Sequence, residues 1–153
     1  MGPEADPPAR LKPRLFLDSN VLFSACLTPQ GRAAALVALA RGGACDLLAS
    51  PHAVHEARRN LELRYPRHVP RLDAVLRTVV LVPEAPTSLV RWARQWGLPD
   101  QDAPILAAAV QARADALVTG DRTHFGPLFG RRLRRVKIVA LSDALSLLGF
   151  GQE

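Results

Sequence analysis

Lysine is nearly missing from this chain of 153 residues: of its twenty basic residues only Lys12 and Lys137 are lysine, and all the others are arginine. A GC-rich genome produces that bias as readily as phosphate binding does, so the arginine excess alone assigns no partner. Cysteine is scarce as well. Cys26 and Cys45 stand apart, form no CxxC pair and read as small core hydrophobes in a reducing compartment rather than as a disulfide scaffold. The longest purely apolar run, residues 33–40, falls far short of the roughly 18 residues of a membrane span, which excludes a transmembrane helix. Residues 1–14 contain Glu4 and Asp6 among prolines and lack the apolar core of a secretory signal, so the cytoplasm is the expected compartment and no membrane is a partner. The zinc-protease pattern is also missing, because His52, His55 and Glu56 run in the order His-x-x-His-Glu. No internal repeat is present.

The composition that remains is that of a globular domain, with 48% hydrophobic and 22% charged residues. The length fits one domain, with a core that buries roughly 68–70% of the unfolded chain's surface. A net charge of +6 favours polyanionic partners such as nucleic acid. Residues 1–13 hold four prolines without hydrophobic periodicity and predict a loose leader; residues 14–149 form the domain, and residues 150–153 a frayed tail.

Within the domain, short apolar runs at residues 15–17, 45–49, 79–82, 116–119 and 136–141 predict five strands. They alternate with helices at 31–41, 51–65, 67–77, 87–96 and 103–113, followed by a last helix capped by Ser142, while residues 18–20 read as a polar loop. Parallel strands need crossovers, and right-handed crossovers place helices on the sheet faces, so the expected fold is α/β, a three-layer α/β/α sandwich around a mostly parallel five-stranded sheet.

Sites in such sheets lie at the carboxyl ends of the strands, near the point where strand order reverses. Asp18 follows the first strand and Asp121 the fourth, which makes them neighbours if those strands are adjacent. The helix starting near Asp102 spans about 18 Å, enough to return Asp102 to the edge where Asp121 sits. Glu56, about 8–9 Å into the helix after strand two, can reach back to the same edge. Each acid also has an ordinary explanation: Asp102 or Asp100 as a helix cap, Asp18 as the start of an Asx turn, Asp121 as a turn residue, Glu56 on a solvated helix face. Four carboxylates in one cleft repel one another unless protonated or bridged by cations. Oxygen-only ligands suit Mg²⁺ or Mn²⁺, which pair with substrate phosphates and activate water, so the implied reaction is metal-dependent phosphodiester hydrolysis.

The segments Phe16-Leu17-Asp18-Ser19-Asn20-Val21-Leu22, Val54-His55-Glu56-Ala57, Asp102 with Ile105-Leu106-Ala107-Ala108-Ala109, and Ala114-Asp115-Ala116-Leu117-Val118-Thr119-Gly120-Asp121 together resemble the PIN-domain family. The resemblance covers about residues 14–148 and is greatest to the bacterial toxin branch, the VapC-type ribonucleases of toxin–antitoxin pairs. It implies that Asp18, Glu56, Asp102 and Asp121 are the catalytic, Mg²⁺- or Mn²⁺-binding quartet. It further implies that Asn20 orients the first carboxylate, that Thr119 hydrogen-bonds near the metals and that Ser19 has a lesser supporting role. Asp100 stands two residues before the matching position and either replaces or assists Asp102, with Asp102 the preferred ligand. The expected activity is an endoribonuclease, with an RNA substrate, a small antitoxin partner and a homodimeric state.

Arg122 beside Asp121 is placed to steer RNA, His124 to meet a phosphate or simply to face water, and Arg131 and Arg132, in the densest basic run, 131–135, read as phosphate contacts, with a solvated turn or a patch for an acidic partner as the alternatives. Trp92 and Trp96, four apart, predict core packing or a subunit contact in preference to base stacking. The alternative function is a non-hydrolytic RNA-binding or regulatory module. A phosphate-accepting receiver domain is disfavoured because Ser19, not a second acid, follows Asp18, and Lys137 opens the fifth strand rather than closing it; a DxD phosphatase is disfavoured because position 20 is asparagine.

Overall fold

The computed structural model describes residues 12–150. Residues 1–11 of the expected leader and 151–153 of the expected tail lie outside that range. Lys12 and Pro13 lie inside it and touch β2: the Lys12 ammonium stands 3.3 Å from Asp46, and the Pro13 carbonyl accepts the Asp46 N–H at 2.9 Å.

The chain runs β1 (Arg14–Leu17), α1 (Ser19–Leu27), α2 (Arg32–Arg41), β2 (Asp46–Ala49), α3 (Pro51–Arg64), α4 (Val69–Leu76), β3 (Val79–Leu81), α5 (Thr87–Arg94), α6 (Ala103–Gln111), β4 (Ala116–Val118), β5 (Arg132–Leu133), β6 (Val136–Val139) and α7 (Leu141–Leu147). The sheet order is β3-β2-β1-β4-β6-β5. Every neighbouring pair is parallel except β5 with β6. The sheet therefore has six strands, not five. The extra strand holds only two residues, Arg132 paired with Lys137 and Leu133 with Val136, too short and too basic to register as a hydrophobic run.

The apolar runs of β1, β2 and β4 form buried strands because both sheet faces are covered there, whereas at the edge strand β3 Val80 and Leu81 are exposed. Leu15, Phe16, Leu17, Leu47, Leu48, Leu117 and Val118 are all at most 1% exposed, and each such side chain contributes about 1.5–3 kcal/mol by leaving water. The steps β1→β2 and β2→β3 move in one direction along the sheet, so right-handed crossovers put α1–α4 on one face, and the long return from β3 to β4 puts α5 and α6 on the other. Strand order reverses between β1 and β4, where Leu17 pairs with Val118 and the Asp18 N–H donates to the Val118 carbonyl at 3.0 Å.

Three local readings change. Ser19 and Asn20 of the expected 18–20 loop instead open the helix Ser19–Leu27: Asp18 is extended (φ −67, ψ 159) and its carboxylate caps α1 by accepting from Ser19 N–H. The last helix starts at Leu141 behind an extended Ala140, with Ser142 already inside its first turn and the Ala144 N–H donating to the Ala140 carbonyl at 3.0 Å. The helix expected over 67–77 begins as a 3₁₀ turn at Pro66–His68 before α4. Cys26 and Cys45 are buried free thiols, and burial pushes each up to about 11. Among the described residues no single helix is long and apolar enough to cross a membrane.

Candidate active site

At the carboxyl ends of β1 and β4 the chain has to turn, and its polar turn residues lock to one another across the two loops. Asp18 is 2% exposed, and all its oxygens are engaged. Its Oδ1 accepts from the Ser19 N–H at 2.7 Å, and its Oδ2 accepts from the Thr119 hydroxyl at 2.8 Å and the Asn20 amide at 3.0 Å. Asn20 also spans to the second loop, where its Oδ1 accepts the Gly120 N–H at 2.8 Å. Thr119 Oγ1 in turn accepts the Asp121 N–H at 3.1 Å. Burial raises the Asp18 pKa above its ordinary value, assisted by the charge of Glu56 and opposed by the three hydrogen bonds.

Glu56 does reach back from α3. Its Oε2 accepts from the Ser19 hydroxyl at 2.9 Å, and its Oε1 lies 3.1 Å from His52 Nε2. The same His52 nitrogen meets the Gln101 carbonyl at 2.9 Å, and the His52 backbone N–H donates to Glu84 at 2.6 Å. His52 thus braces Glu56 against the loop that leads to Asp102. His52 and Glu84 are site-supporting residues that motif reasoning passed over. The spacing of His52 and Glu56, one helical turn apart, was the available signal for the first; for the second there was none.

Asp102 opens α6 at the N-cap position, yet its side chain makes no capping bond. It turns instead to His124, whose Nδ1 stands 3.2 Å from Asp102 Oδ2 and 2.7 Å from Asp121 Oδ2. Burial, followed by the charges of Asp18 and Asp121, pushes Asp102 up to about 6, against the pull of His124. For Asp121, burial acts to raise the pKa, but it is outweighed by the His124 backbone N–H, the His124 ring and the Thr123 N–H, which hold the carboxyl below its usual range. The two N–H groups reach Asp121 Oδ1 at 3.0 Å each. His124 is raised, chiefly by its hydrogen bond to Asp121; burial opposes the shift, and the charges of Asp121 and Asp102 add to it. One ligand atom each from Asp102, Asp121 and His124 lies within 4.8 Å of the others.

Asp100 is turned out of the cleft. Its side chain is 89% exposed and pairs with Arg94 Nε at 3.3 Å, because the Pro99 carbonyl closes a turn onto the Asp102 N–H and leaves Asp100 at the tip. Arg122 is exposed and, with Arg32, lines a shallow groove beside Thr119 and Gly120. Arg131 and Arg132 stand at the β5 edge, two strands beyond β4, rather than among the carboxylates. Trp92 and Trp96 are half-buried on the α5 side.

A family model described as the PIN domain matches residues 14–123. This chain belongs to the PIN-domain family. No curated protein matches it. Solved structures similar to this PIN domain include VapBC2 from Rickettsia felis, bound to a fragment of promoter DNA (TM-score 0.64, 17% identity, covering 83% of this chain and 98% of that one). VapC20 from Mycobacterium tuberculosis, a toxin that cleaves the sarcin–ricin loop, is similar at TM-score 0.55 and 15% identity, covering 74% and 94%. FitAcB from Neisseria gonorrhoeae is similar at TM-score 0.58 and 20% identity, covering 84% and 98%. At these identities the likeness is one of fold.

The donor chemistry of this PIN domain's cleft fits a hard divalent cation. Asp18 and Asp102 are carboxyls that burial and mutual repulsion disfavour as anions, and a neighbouring positive charge relieves that cost. The positively charged form of His124, held between Asp102 and Asp121, supplies part of that charge.

Proposed function

We propose that this PIN domain is a metal-dependent endoribonuclease that hydrolyses RNA phosphodiester bonds, and that it is the toxin of a toxin–antitoxin pair. The observation that carries the reading is the convergence of Asp18, Glu56, Asp102 and Asp121 at the switch point between β1 and β4, with the Asp102 carboxyl pushed up to about 6. The toxin assignment is supported by structural likeness to VapBC2, VapC20, the FitAcB complex and a Klebsiella pneumoniae toxin–antitoxin complex. A small antitoxin protein and a homodimeric state belong to the same proposal.

Asp18, Glu56, Asp102 and Asp121 would hold Mg²⁺ or Mn²⁺. A bound divalent ion supplies Lewis-acid stabilisation of the charge that develops on a phosphodiester under attack by water. The chain's own residues do the positioning. Thr119 and Asn20 fix the Asp18 carboxylate from two sides, so its orientation costs nothing when the substrate arrives. Ser19 and His52 do the same for Glu56. His124 Nδ1 stands between Asp102 and Asp121, and Arg122 and Arg32 offer guanidinium donors to phosphates along the groove beside Thr119.

The test is cleavage of a mixed pool of structured and single-stranded RNA with Mg²⁺, Mn²⁺ or EDTA, by wild type, Asp18→Asn and Asp121→Asn. Cutting that needs metal and falls by at least about 100-fold in both variants is expected. RNA that is bound but never cut, or variants that cut like wild type, would overturn the hydrolytic reading.

A further inference from the structure

Between β5 and β6 the chain reverses in two residues, Arg134 and Arg135, both in the left-handed region at φ 46 and φ 74. Two-residue hairpins of this type favour Asn-Gly, because side chains beyond glycine are strained at positive φ. Two arginines here are a departure that local folding does not explain. Strained backbone of this kind is found where a surface has a task.

The guanidinium groups of this hairpin are also held in place. Arg134 stacks over the ring of Trp92 at 4.4 Å, and Arg131 over the ring of Trp96 at 4.8 Å. The two indoles meet edge-on at 6.4 Å. A stacked guanidinium has one face covered, while its N–H donors point outward in its own plane, where a phosphate can take two of them. The same stacking occupies the indole faces, so the tryptophans serve to order arginines rather than to stack bases. Among the described residues neither Arg131 nor Arg134 makes an ion pair with a carboxylate, so both keep their charge for an outside partner.

The orientation of this ladder follows from the register. The Arg131 carbonyl accepts the Ile138 N–H at 3.0 Å, one residue from the carboxyl end of β6, whereas the Arg134–Arg135 turn lies at the amino end of that strand. Trp96 is six residues before Asp102. The Trp96–Arg131 step is therefore the one nearer the carboxylate cleft, and the Trp92–Arg134 step, its ring 6.4 Å from that of Trp96, lies farther down the flank.

We propose that the Trp96–Arg131 and Trp92–Arg134 pairs form a backbone-binding rail that grips the phosphates of a single RNA strand extending away from the carboxylate cleft. The proposal rests on the reading of that cleft as a ribonuclease centre. The rail adds affinity for long RNA without touching the scissile phosphate, and pre-ordered arginines spend less conformational entropy per phosphate bound.

The experiment compares wild type with Arg131→Gln/Arg134→Gln and with Arg131→Lys/Arg134→Lys. Binding of a labelled 20-nucleotide RNA is followed in EDTA at several salt concentrations, and metal-supported cleavage of that RNA is set beside cleavage of a trinucleotide. Circular dichroism melting establishes that each variant is folded. Losing two phosphate contacts reduces the slope of log affinity against log salt by about 1.4. The glutamine pair is expected to show that smaller slope, about tenfold weaker binding at 0.1 M salt and a raised KM on the long RNA, with trinucleotide cleavage unchanged. The lysine pair, charged but not stacked, is expected to fall between the glutamine pair and wild type. An unchanged slope and affinity in the glutamine pair overturns the rail, even if wild type cuts RNA; that result would fit a surface for an acidic protein instead. Equal loss on long RNA and trinucleotide also overturns it. Weaker binding in the glutamine pair of a protein that never cuts RNA would sink the nuclease reading while leaving the RNA-binding strip in place.

Discussion

Thr119 shows how one buried hydroxyl sets the geometry of two acids. Its oxygen donates to Asp18 and accepts from the Asp121 backbone, so Thr119→Val, which keeps the shape, leaves a buried carboxylate oxygen and an N–H without that partner. The expected cost is about 1–3 kcal/mol, read as a lower melting temperature together with weaker metal binding. Asp102 acts in the opposite sense. Its folded pKa of about 6 lies above the ordinary 3.8, so its ionised form destabilises the metal-free fold fully above pH 6 and not at all below about 4. Asp102→Asn should therefore stabilise the metal-free protein by about 1–2 kcal/mol at pH 7.5. That gain should vanish as the pH falls toward 4, in denaturant melts across that range. A variant less stable than wild type at pH 7.5 would show that Asp102 is already neutralised in the fold. Sequence placed Asp102 at the sheet edge and preferred it to Asp100, without a structural ground for the preference. What separates them is a turn closed by the Pro99 carbonyl, a backbone hydrogen bond that residue identity does not encode.

At the scale of elements, the buried parallel strands were legible because strands covered on both faces read as unbroken apolar runs. Two elements were not. In α1 the Asp-Ser-Asn cluster resembles a loop, although a capping aspartate with Val21, Leu22 and Cys26 buried behind it is also how a helix begins. In β5 the strand has two residues, one of them arginine, and it exists only because β6 offers it an edge. The β5–β6 turn gives a test with opposite signs. Arg135→Gly relieves the left-handed strain and should raise unfolding free energy by about 0.5 kcal/mol, whereas Arg135→Val, β-branched at positive φ, should lower it by about 1 kcal/mol. Both are measured by urea unfolding. Destabilisation by glycine would mean that the arginine side chain, not the backbone, holds the turn.

For the whole molecule, the charge distribution is what unites the fold with the proposed activity. A net charge of +6 surrounds a cleft in which the charges of Asp18, Glu56 and Asp121 all act on Asp102, so a polyanion is drawn to the surface while the cleft offers the proposed cation site. Sequence supplied the net charge and the order of the acids. It did not supply the stacking of Arg131 and Arg134 on Trp96 and Trp92, because contacts between α5 and the β5–β6 hairpin depend on packing of segments some forty residues apart. A cation bound only by the folded state also stabilises it, by about 2.7 kcal/mol at a hundredfold excess over Kd. The most direct measurement is isothermal titration of Mn²⁺ into wild type and Asp102→Asn at pH 7.5. Saturable binding to wild type that weakens at least about tenfold in the variant, although the variant is the more stable metal-free protein, is the expected result. Equal binding by both proteins, or none by wild type, would contradict the assignment of these carboxylates as a cation site.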